Sequence, residues 1–271
     1  MNLIDSFIVW HSKKTNGRLR TFLAKSYLLL VKIKNLFKYG KPGLFNFVNI
    51  ELNRDCNRSC SYCPKSKYGD LDRGEMSFDT FERIISQLKE INYSEKVCFT
   101  GYYEPLATDN LLSYIEHTRK KLPDSKIIIY TNGDYLDPQK YKNLTELGVL
   151  IIISLHGDYE KNFHRLKGFV SDKNTVFKKD LEDYILSNRG GLVEVDKKEV
   201  KYGCIFPSLQ LTIDSEGEVI LCFDDYFSAN KFGNVKDGSI LDIWNGDEFK
   251  KTKKDLLKRR PDRDICKNCF S

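Results

Sequence analysis

Apolar residues in the middle of the chain alternate between two periods, which predict strands and helices in turn. Short strand-like runs occur four times, as NFVNIEL, KVCFT, KIIIYT and VLIIISL. Between them, apolar residues recur at helical spacing over residues 78–91, 109–122 and 137–148. Strands that alternate with helices predict an α/β fold with a parallel sheet and right-handed crossovers. In such a sheet, ligands bind at the carboxyl ends of the strands.

The pattern changes from about residue 190 onward. LQLTID and EVILC flank SEG, which is a hairpin signal, and two short helical stretches follow at SILDIW and residues 247–258. This tail is too small to be stable without a staple. We therefore expect three parts: an arm at residues 1–44, a main domain at 45–199 and a tail domain at 200–271.

The arm carries all of the surplus positive charge. The net charge is +6, yet residues 1–44 hold nine Lys or Arg and one acid, whereas the remainder holds 35 bases and 37 acids. A basic segment of this kind favours anionic partners such as phosphates or a lipid surface. The nearly neutral remainder argues against a nucleic-acid enzyme.

Apolar residues of the arm recur at helical spacing and predict one amphipathic helix. Its apolar stripe consists of Leu19, Phe22, Leu23, Leu30, Ile33 and Phe37. The flanking bases are Arg18, Lys25 and Lys32 on one edge and Arg20, Lys34 and Lys38 toward the other. Two interpretations are open: a helix packed on the main domain, and a helix at a membrane surface with lysines reaching past the stripe.

The N-terminal residues lack the layout of a signal peptide, and no charge-free stretch approaches the ~20 residues of a spanning helix. We expect a cytoplasmic protein with reduced thiols, which is membrane-associated if the arm binds lipid. Eight cysteines in such a chain indicate metal binding rather than disulfide bridges. Cys98, in the second predicted strand, is explained as a small buried apolar residue without a role.

Three cysteines lie close together on the loop after the first predicted strand. Cys56, Cys60 and Cys63 stand in CNRSCSYCP, and thiolates select zinc, copper(I) or iron–sulfur clusters. No histidine lies close enough in sequence to complete a zinc site. An iron–sulfur cube on three thiolates leaves one iron open to a small ligand. Zinc or unliganded thiols are the alternatives.

The spacing C-x3-C-x-aromatic-C, with Tyr62 in the aromatic place, resembles that of the radical S-adenosylmethionine (SAM) enzymes. The resemblance implies a 4Fe-4S cluster on the three cysteines and SAM on its open iron. It also implies a 5′-deoxyadenosyl radical that takes a hydrogen atom from the substrate, with the protein positioning the cofactor. The expected fold is a partial parallel (β/α) barrel of the radical SAM type, preceded by the basic helical arm.

Motifs after the next three strands extend the resemblance. GYYEP at 101–105 corresponds to the family's Gly-Gly-Glu-Pro loop, although Tyr103 replaces a glycine, and TNG and SLHG end the third and fourth strands. The family contacts SAM from these loops. The implied SAM-binding residues are Tyr62, Gly101, Tyr103, Glu104, Asn132, Ser154 and Arg165. Ordinary turn or capping roles are the alternative for each.

The other four cysteines, Cys204, Cys222, Cys266 and Cys269, lie in the tail and fit a closed all-cysteine site. Their chemistry allows zinc or a second iron–sulfur cube, and spacing alone does not separate the two. The tail resembles the SPASM/twitch extension of radical SAM enzymes, which implies one auxiliary 4Fe-4S cluster in a small domain of a β-hairpin and helices.

IIYTNGDYL, LTELG, LSNRGG and CKNC resemble members of the family that oxidise a secondary alcohol of an aminocyclitol to a ketone. This resemblance covers residues 46–271. It implies that Tyr130 and Arg189 contact substrate hydroxyls, and that Phe223 and Asp224 face the same cavity, with Asp224 in place of a glutamate. Arg189 is a fixed cation with five donors, and its RGG setting allows close backbone approach. A structural Arg189–carboxylate pair is the alternative.

The leading functional hypothesis is therefore the two-electron oxidation of a polyhydroxylated small molecule, such as a cyclitol or sugar, with the auxiliary cluster accepting an electron. A reductase such as flavodoxin or ferredoxin would supply electrons to the first cluster. The alternatives are peptide maturation, against which the short arm counts, action on a membrane-linked glycan, and a non-enzymatic zinc protein.

Overall fold

The computed structural model describes residues 17–71, 74–155, 159–171, 173–179, 188–194 and 203–270. In this part of the chain, one sheet contains eight strands, which are β1 (Phe47–Ile50), β2 (Lys96–Phe99), β3 (Lys126–Thr131), β4 (Leu150–Leu155), β5 (Thr175–Lys179), β6 (Gln210–Ile213), β7 (Glu218–Ile220) and β8 (Lys231–Asn234). The helices are α1 (Gly17–Tyr39), α2 (Lys65–Tyr68), α3 (Phe78–Glu90), α4 (Leu111–Lys121), α5 (Pro138–Glu146), α6 (Tyr159–Lys167), α7 (Ile240–Asn245), α8 (Asp247–Leu257) and α9 (Asp264–Phe270).

The strand order is β5-β4-β3-β2-β1-β6-β7-β8. All pairs from β5 to β6 are parallel, and β6-β7-β8 are antiparallel. The strands of the described ranges form an open, mostly parallel sheet, which agrees with the predicted partial parallel barrel. The predicted hairpin is also present. It joins the barrel strands directly, because Phe47 of β1 lies opposite Gln210 of β6.

Helices cover one face of the sheet and form the main core. Alternate strand residues such as Ile127 and Ile129 are fully buried against Phe81, Ile84 and other helix residues. The opposite face carries a small apolar cluster of Cys98, Ile128 and Ile152. Tyr130 shares this second face because it lies two residues beyond Ile128. Cys98 is thus the small buried apolar residue that its sequence context predicts.

Local signals explain where the covering helices begin. The Ser77 side chain accepts a hydrogen bond from the Thr80 amide at the start of α3, and Asp137 accepts one from the Lys140 amide at the start of α5. Pro138 occupies the first turn of α5, where its missing N–H costs no helical hydrogen bond. These caps fix the ends of the two loops that lead from β1 to α3 and from β3 to α5.

The arm forms the predicted helix, but it packs through a different face from the one expected. Leu28, Val31 and Asn35 are buried, and the Asn35 amide donates to the Leu44 carbonyl at 2.7 Å. Lys34 and Lys38 both bind Glu95, at 2.9 and 3.0 Å. Large apolar residues remain exposed on the other side, namely Phe22, Leu29, Leu30, Ile33, Leu36 and Phe37.

The helix therefore packs on the main domain, as one interpretation holds, while most of the predicted stripe points outward. The side chains of Arg18, Leu19 and Arg20 lie outside the described residues, as do the last two residues of SLHG. No helix in the described ranges is both long enough and apolar enough to cross a membrane.

Candidate active site

The loop with the first three cysteines runs from the end of β1 to α2. Cys56, Cys60 and Cys63 are each partly exposed. The Cys63 amide donates to the Cys60 carbonyl at 2.9 Å, and the Lys65 ammonium donates to the Cys56 carbonyl at 2.6 Å. These hydrogen bonds fold the loop into a compact turn, and the three thiols stay near the surface.

Asp134 holds this loop from the end of β3. Arg58 forms two hydrogen bonds to the Asp134 carboxylate, at 2.7 and 2.5 Å, and Asn57 adds a third at 2.8 Å. Burial alone would raise the pKa of Asp134, but the bonds from Arg58 and Asn57 outweigh it and lower that pKa. A charged Asp134 therefore anchors the cysteine loop at neutral pH.

The GYYEP loop follows β2 and lies against Glu51. The Glu51 carboxylate accepts a hydrogen bond from the Tyr102 amide at 2.9 Å, and a Cβ on Gly101 would lie 2.6 Å from the same oxygen. Only glycine fits at position 101 without displacing Glu51. The Tyr103 side chain is buried in the core and donates to the Ile50 carbonyl at 3.2 Å, so only its backbone is available to a ligand.

Glu104 joins the ends of β2 and β3. Its carboxylate accepts hydrogen bonds from the Thr131 hydroxyl, the Asn132 amide and the Leu106 amide at 2.5, 2.7 and 3.1 Å. Burial raises the pKa of Glu104 despite these three bonds. The Asn132 side chain donates to Asn57 on the cysteine loop at 2.8 Å. These contacts make the TNG turn, the GYYEP loop and the cysteine loop one connected edge.

The remaining predicted SAM-binding residues surround this edge. Arg165 donates to the carbonyls of Leu136 and Gly133 at 2.7 and 2.5 Å, and so it holds the turn after β3. Burial raises the pKa of Tyr62, and a hydrogen bond with Cys60 adds to the shift. Ser154 lies near the carboxyl end of β4. Direct contact of these residues with SAM stays a prediction.

The second cysteine set packs against the main core: Cys266 is buried in it, and the partly exposed Cys204 and Cys222 contact it. Cys204 precedes β6, Cys222 follows β7, and Cys266 and Cys269 lie on α9. Burial raises the pKa of Cys204 and of Cys266 to about 12, and that of Cys222 well above its ordinary value. Buried thiols of this kind ionise only when a cation compensates the lost hydration.

Both sets offer sulfur ligands alone, which is the chemistry of iron–sulfur clusters. Among the described residues, no three His, Cys, Asp or Glu side chains lie close enough together to hold a single metal ion. The all-sulfur donor sets fit iron–sulfur clusters. Cys56, Cys60 and Cys63 would hold the SAM-binding cluster, and the four tail cysteines would hold the auxiliary cluster.

Arg189 and Asp224 meet between the two cysteine sets. Their side chains form an ion pair at 3.1 Å, and the guanidinium lies 5.8 Å from the Tyr102 ring centre and 5.9 Å from that of Phe223. Burial would lower the pKa of Arg189, but Tyr102 and Asp224 outweigh it and raise that pKa. Arg189 also interacts electrostatically with Cys63, and Asp224 with Cys222.

The segment that carries Arg189 is seated on the helix of the second set. A Cβ on Gly190 would lie 2.3 Å from Ile265, and one on Gly191 would lie 2.8 Å from Asn268. Both glycines also have positive φ, at 66° and 92°. The close approach expected from RGG is therefore present, and the surface it approaches is α9, which holds Cys266 and Cys269.

Sequence reasoning missed three residues near this site. Arg54 is buried, pairs with Glu51 at 2.7 Å and donates to the Tyr226 carbonyl at 2.6 Å, which links the loop after β1 to the loop after Cys222. Lys178 lies 5.8 Å above the Tyr130 ring. Tyr102 lies beside Arg189. The sequence does not reveal their roles, because these depend on contacts with residues distant along the chain, such as Tyr226 for Arg54 and Arg189 for Tyr102.

An open parallel barrel, three cysteines on the loop at its carboxyl edge and a four-cysteine tail packed against the main core define a radical SAM iron–sulfur enzyme. Two family models match the chain, one for the radical SAM superfamily at residues 50–179 and one for the SPASM iron–sulfur cluster-binding domain at residues 204–270. The chain belongs to the radical SAM superfamily.

A similar curated relative is the S-adenosyl-L-methionine-dependent 2-deoxy-scyllo-inosamine dehydrogenase of Niallia circulans. It is 34% identical over 234 residues, which cover 83% of this chain and 93% of the relative. The crystal structure of BtrN in complex with AdoMet and 2-DOIA has a TM-score of 0.78 at 33% identity, with 84% of this chain and 94% of that chain covered. BtrN in an open conformation has a TM-score of 0.67 at 29% identity, with 84% and 93% covered.

The family and these relatives establish the cofactors as SAM, its 4Fe-4S cluster and an auxiliary 4Fe-4S cluster. They also exclude the non-enzymatic zinc protein that the sequence left open. The exact domain boundaries and the individual roles of the site residues stay predictions.

Proposed function

We propose that this enzyme oxidises a secondary alcohol of an aminocyclitol, or of a closely related polyol, to a ketone. The proposal rests on the Arg189–Asp224 pair. This pair places a fixed cation beside a carboxylate, between the two cysteine sets. A polyol presents hydroxyl groups to which both side chains can bind. The relative at 34% identity, a 2-deoxy-scyllo-inosamine dehydrogenase, supports the substrate class.

Each residue near the pair has a role in this proposal. SAM and its cluster supply a radical that removes the hydrogen atom of the carbinol carbon, and the auxiliary cluster supplies a place for the second electron. Arg189 donates hydrogen bonds to substrate oxygens and fixes the ring. Asp224 accepts the proton of the reacting hydroxyl. Tyr130 and Phe223 contact the substrate beside them. The substrate thereby loses two hydrogens as one atom, one proton and one electron.

Anaerobically reconstituted enzyme tests this proposal. With SAM, dithionite and 2-deoxy-scyllo-inosamine, we expect 5′-deoxyadenosine and a product that has lost two hydrogen atoms, in equal amounts. Mass spectrometry measures both. Substrate-independent 5′-deoxyadenosine release without any oxidised product, for this and related aminocyclitols, would overturn the assignment.

Arg189→Lys sharpens the test because it keeps the charge and removes the planar fork. We expect kcat/KM to fall by about tenfold to a hundredfold, as a loss of about 1.4–2.7 kcal/mol predicts. Arg83→Lys is the matched control, since Arg83 contacts neither cysteine set within the described ranges and donates to the Lys236 carbonyl at 2.8 Å. An equal loss in both variants would contradict the role of Arg189.

We propose that a flavodoxin or a ferredoxin supplies the electron to the first cluster. The partial exposure of Cys56, Cys60 and Cys63 supports this, since a docked donor can come close to the loop. Replacing dithionite with a reduced flavodoxin or ferredoxin should sustain turnover. Failure of both proteins, with dithionite still active, would contradict the proposal.

We also propose that α1 contacts an anionic membrane. Phe22, Leu30 and Phe37 are 65%, 59% and 86% exposed on one side of this helix, and the exposed Lys25 and Lys32 border that side. Such a face, in an arm with a net charge of +8, has the composition of an interfacial helix. The opposite face is fixed to the protein body by Leu28, Val31 and the Glu95 ion pairs.

Co-sedimentation with vesicles tests the membrane contact. The protein should pellet with phosphatidylserine vesicles and stay in solution with pure phosphatidylcholine vesicles. Phe37→Glu should abolish pelleting, because it places a charge at the most exposed residue of the apolar face. Dimerisation through this face, seen as a Phe37-dependent dimer in sedimentation velocity without lipid, would contradict it.

A further inference from the structure

Tyr102 stands between the two cysteine sets with a hydroxyl group that has no hydrogen-bond partner among the described residues. Its ring is half-buried, and the hydroxyl oxygen is buried. The hydroxyl interacts electrostatically with Arg189, Asp224, Cys222 and Cys63, one cysteine from each set. The group is thus at the centre of the space where the proposed chemistry takes place.

The ring of Tyr102 is held firmly while its hydroxyl stays unused. The ring contacts that of Tyr226 edge-on, with centres 4.9 Å apart, and lies beside the Arg189 guanidinium. The backbone is fixed by the bond from the Tyr102 amide to Glu51. Within the described ranges, the buried Tyr93, Tyr103 and Tyr114 do bond their hydroxyls; that of Tyr93 donates to the Lys96 carbonyl at 3.0 Å.

A buried hydroxyl without a partner is unfavourable for the free protein, and a ligand oxygen can remove that cost. Arg189 gives a route for such a ligand, since its side chain is 22% exposed and touches the tyrosine ring. Burial raises the pKa of Tyr102 well above its ordinary value, so the phenol is protonated at neutral pH and can donate.

We propose that the Tyr102 hydroxyl donates a hydrogen bond to a substrate oxygen next to the one held by Arg189, and so selects substrates with neighbouring polar groups. This inference rests on the proposed function, because it concerns the same polyol. It adds a specificity residue from the GYYEP loop to the Arg189–Asp224 pair. The substrate would then be held from the loop after β2 and from the segment seated on α9.

The test compares Tyr102→Phe with Tyr93→Phe in the reconstituted holoenzyme. Calorimetry with SAM and 2-deoxy-scyllo-inosamine, without reductant, measures binding in the absence of turnover. We expect the dissociation constant to rise about three- to tenfold in Tyr102→Phe, the range for one neutral hydrogen bond, and to stay unchanged in Tyr93→Phe. Denaturant unfolding without substrate should show the reverse, with Tyr93→Phe destabilised and Tyr102→Phe as stable as the parent or more so.

Equal substrate affinity of parent and Tyr102→Phe overturns the inference and leaves the proposed function intact. Binding that weakens in Tyr102→Phe, with no oxidised product from the parent enzyme, overturns the function and leaves the binding role. No binding by the parent overturns both for aminocyclitols. A Tyr102→Phe protein destabilised as much as Tyr93→Phe also overturns the inference, because the hydroxyl then has a structural partner.

Discussion

The first cysteine loop is held by polar contacts near the surface, whereas the second cysteine set lies within packed structure. Arg58, Asn57 and Asp134 hold the first loop, and its three thiols are partly exposed. Cys204 and Cys222 pack against the main core, and Cys266 belongs to it. A cluster that must admit SAM needs an open vertex, while a cluster that receives an electron needs only a fixed position. The packing around each set matches its task.

Loss of a first-set cysteine should have the largest effect on chemistry and little effect on the fold. Cys60→Ala should abolish 5′-deoxyadenosine release, because two thiolates do not hold the SAM-binding cluster. The transition temperature of the metal-free protein should change little, since Cys60 is partly exposed. High-performance liquid chromatography and thermal unfolding measure the two effects. If the metal-free Cys60→Ala protein were strongly destabilised, the first cysteine loop would contribute to the packed structure, and the contrast between the two sets would be wrong.

Loss of a second-set cysteine should separate SAM cleavage from substrate oxidation. In Cys222→Ala, iron content should fall from about eight to about four per chain. Oxidised product should disappear, while 5′-deoxyadenosine release continues at a reduced rate. The holoenzyme should also unfold at a lower temperature than the parent, because the cluster joins α9 to the sheet. Full retention of ketone formation would show that the auxiliary cluster takes no electron.

The Arg54–Glu51 pair tests how the two regions are joined. Arg54→Met leaves Glu51 as a buried charge without this partner, and removes the bonds to Tyr226 and Ser228. We expect a loss of about 3–5 kcal/mol in the free energy of unfolding, measured in urea. Arg119→Met is the control and should cost less, since the described partners of Arg119 are carbonyls of the main domain, such as those of Leu147 and Ser125. Equal losses would mean that Arg54 has no special linking role.

The smallest expected effect concerns the anchor of the first loop. Asp134→Asn should cost about 1 kcal/mol at pH 7, because it weakens a partly exposed ion pair. The pKa of Asp134 is lowered in the folded protein, so its contribution is present above the unfolded value of 3.8 and is lost as pH falls through the folded value. The difference between variant and parent should vanish at lower pH. Denaturant unfolding of the cluster-free proteins measures it.

The sequence was sufficient to predict the alternation of strands and helices, because the period of the apolar residues and the helix caps are local signals. It did not predict β5, α6 or β8. β5 is an edge strand of five residues that ends in two lysines, which is a weak strand signal. The wrong packing face of α1 has a similar origin. The stripe is evident in the sequence, but the burial of Leu28 and Val31 depends on partners that are distant along the chain, such as Leu209.

For the site, the cysteines were predictable because their spacing is itself the signal. Tyr102 was not, because two adjacent tyrosines in GYYEP look equivalent in sequence. Their difference arises from Glu51, which holds the Tyr102 amide while Tyr103 turns into the core. The sequence predicted that the backbone at Gly190 and Gly191 makes a close approach. It did not predict that the approached surface is α9.

The pairing of β1 with β6 has a consequence for biosynthesis. About 160 residues separate Phe47 from Gln210, so a ribosome must deliver most of the polypeptide before β1 gains its second neighbour. Until then β1 presents an uncovered edge, which is a site for erroneous association between nascent molecules. Metallation of the second cysteine set comes later still, since Cys266 and Cys269 leave the ribosome after every strand of the sheet.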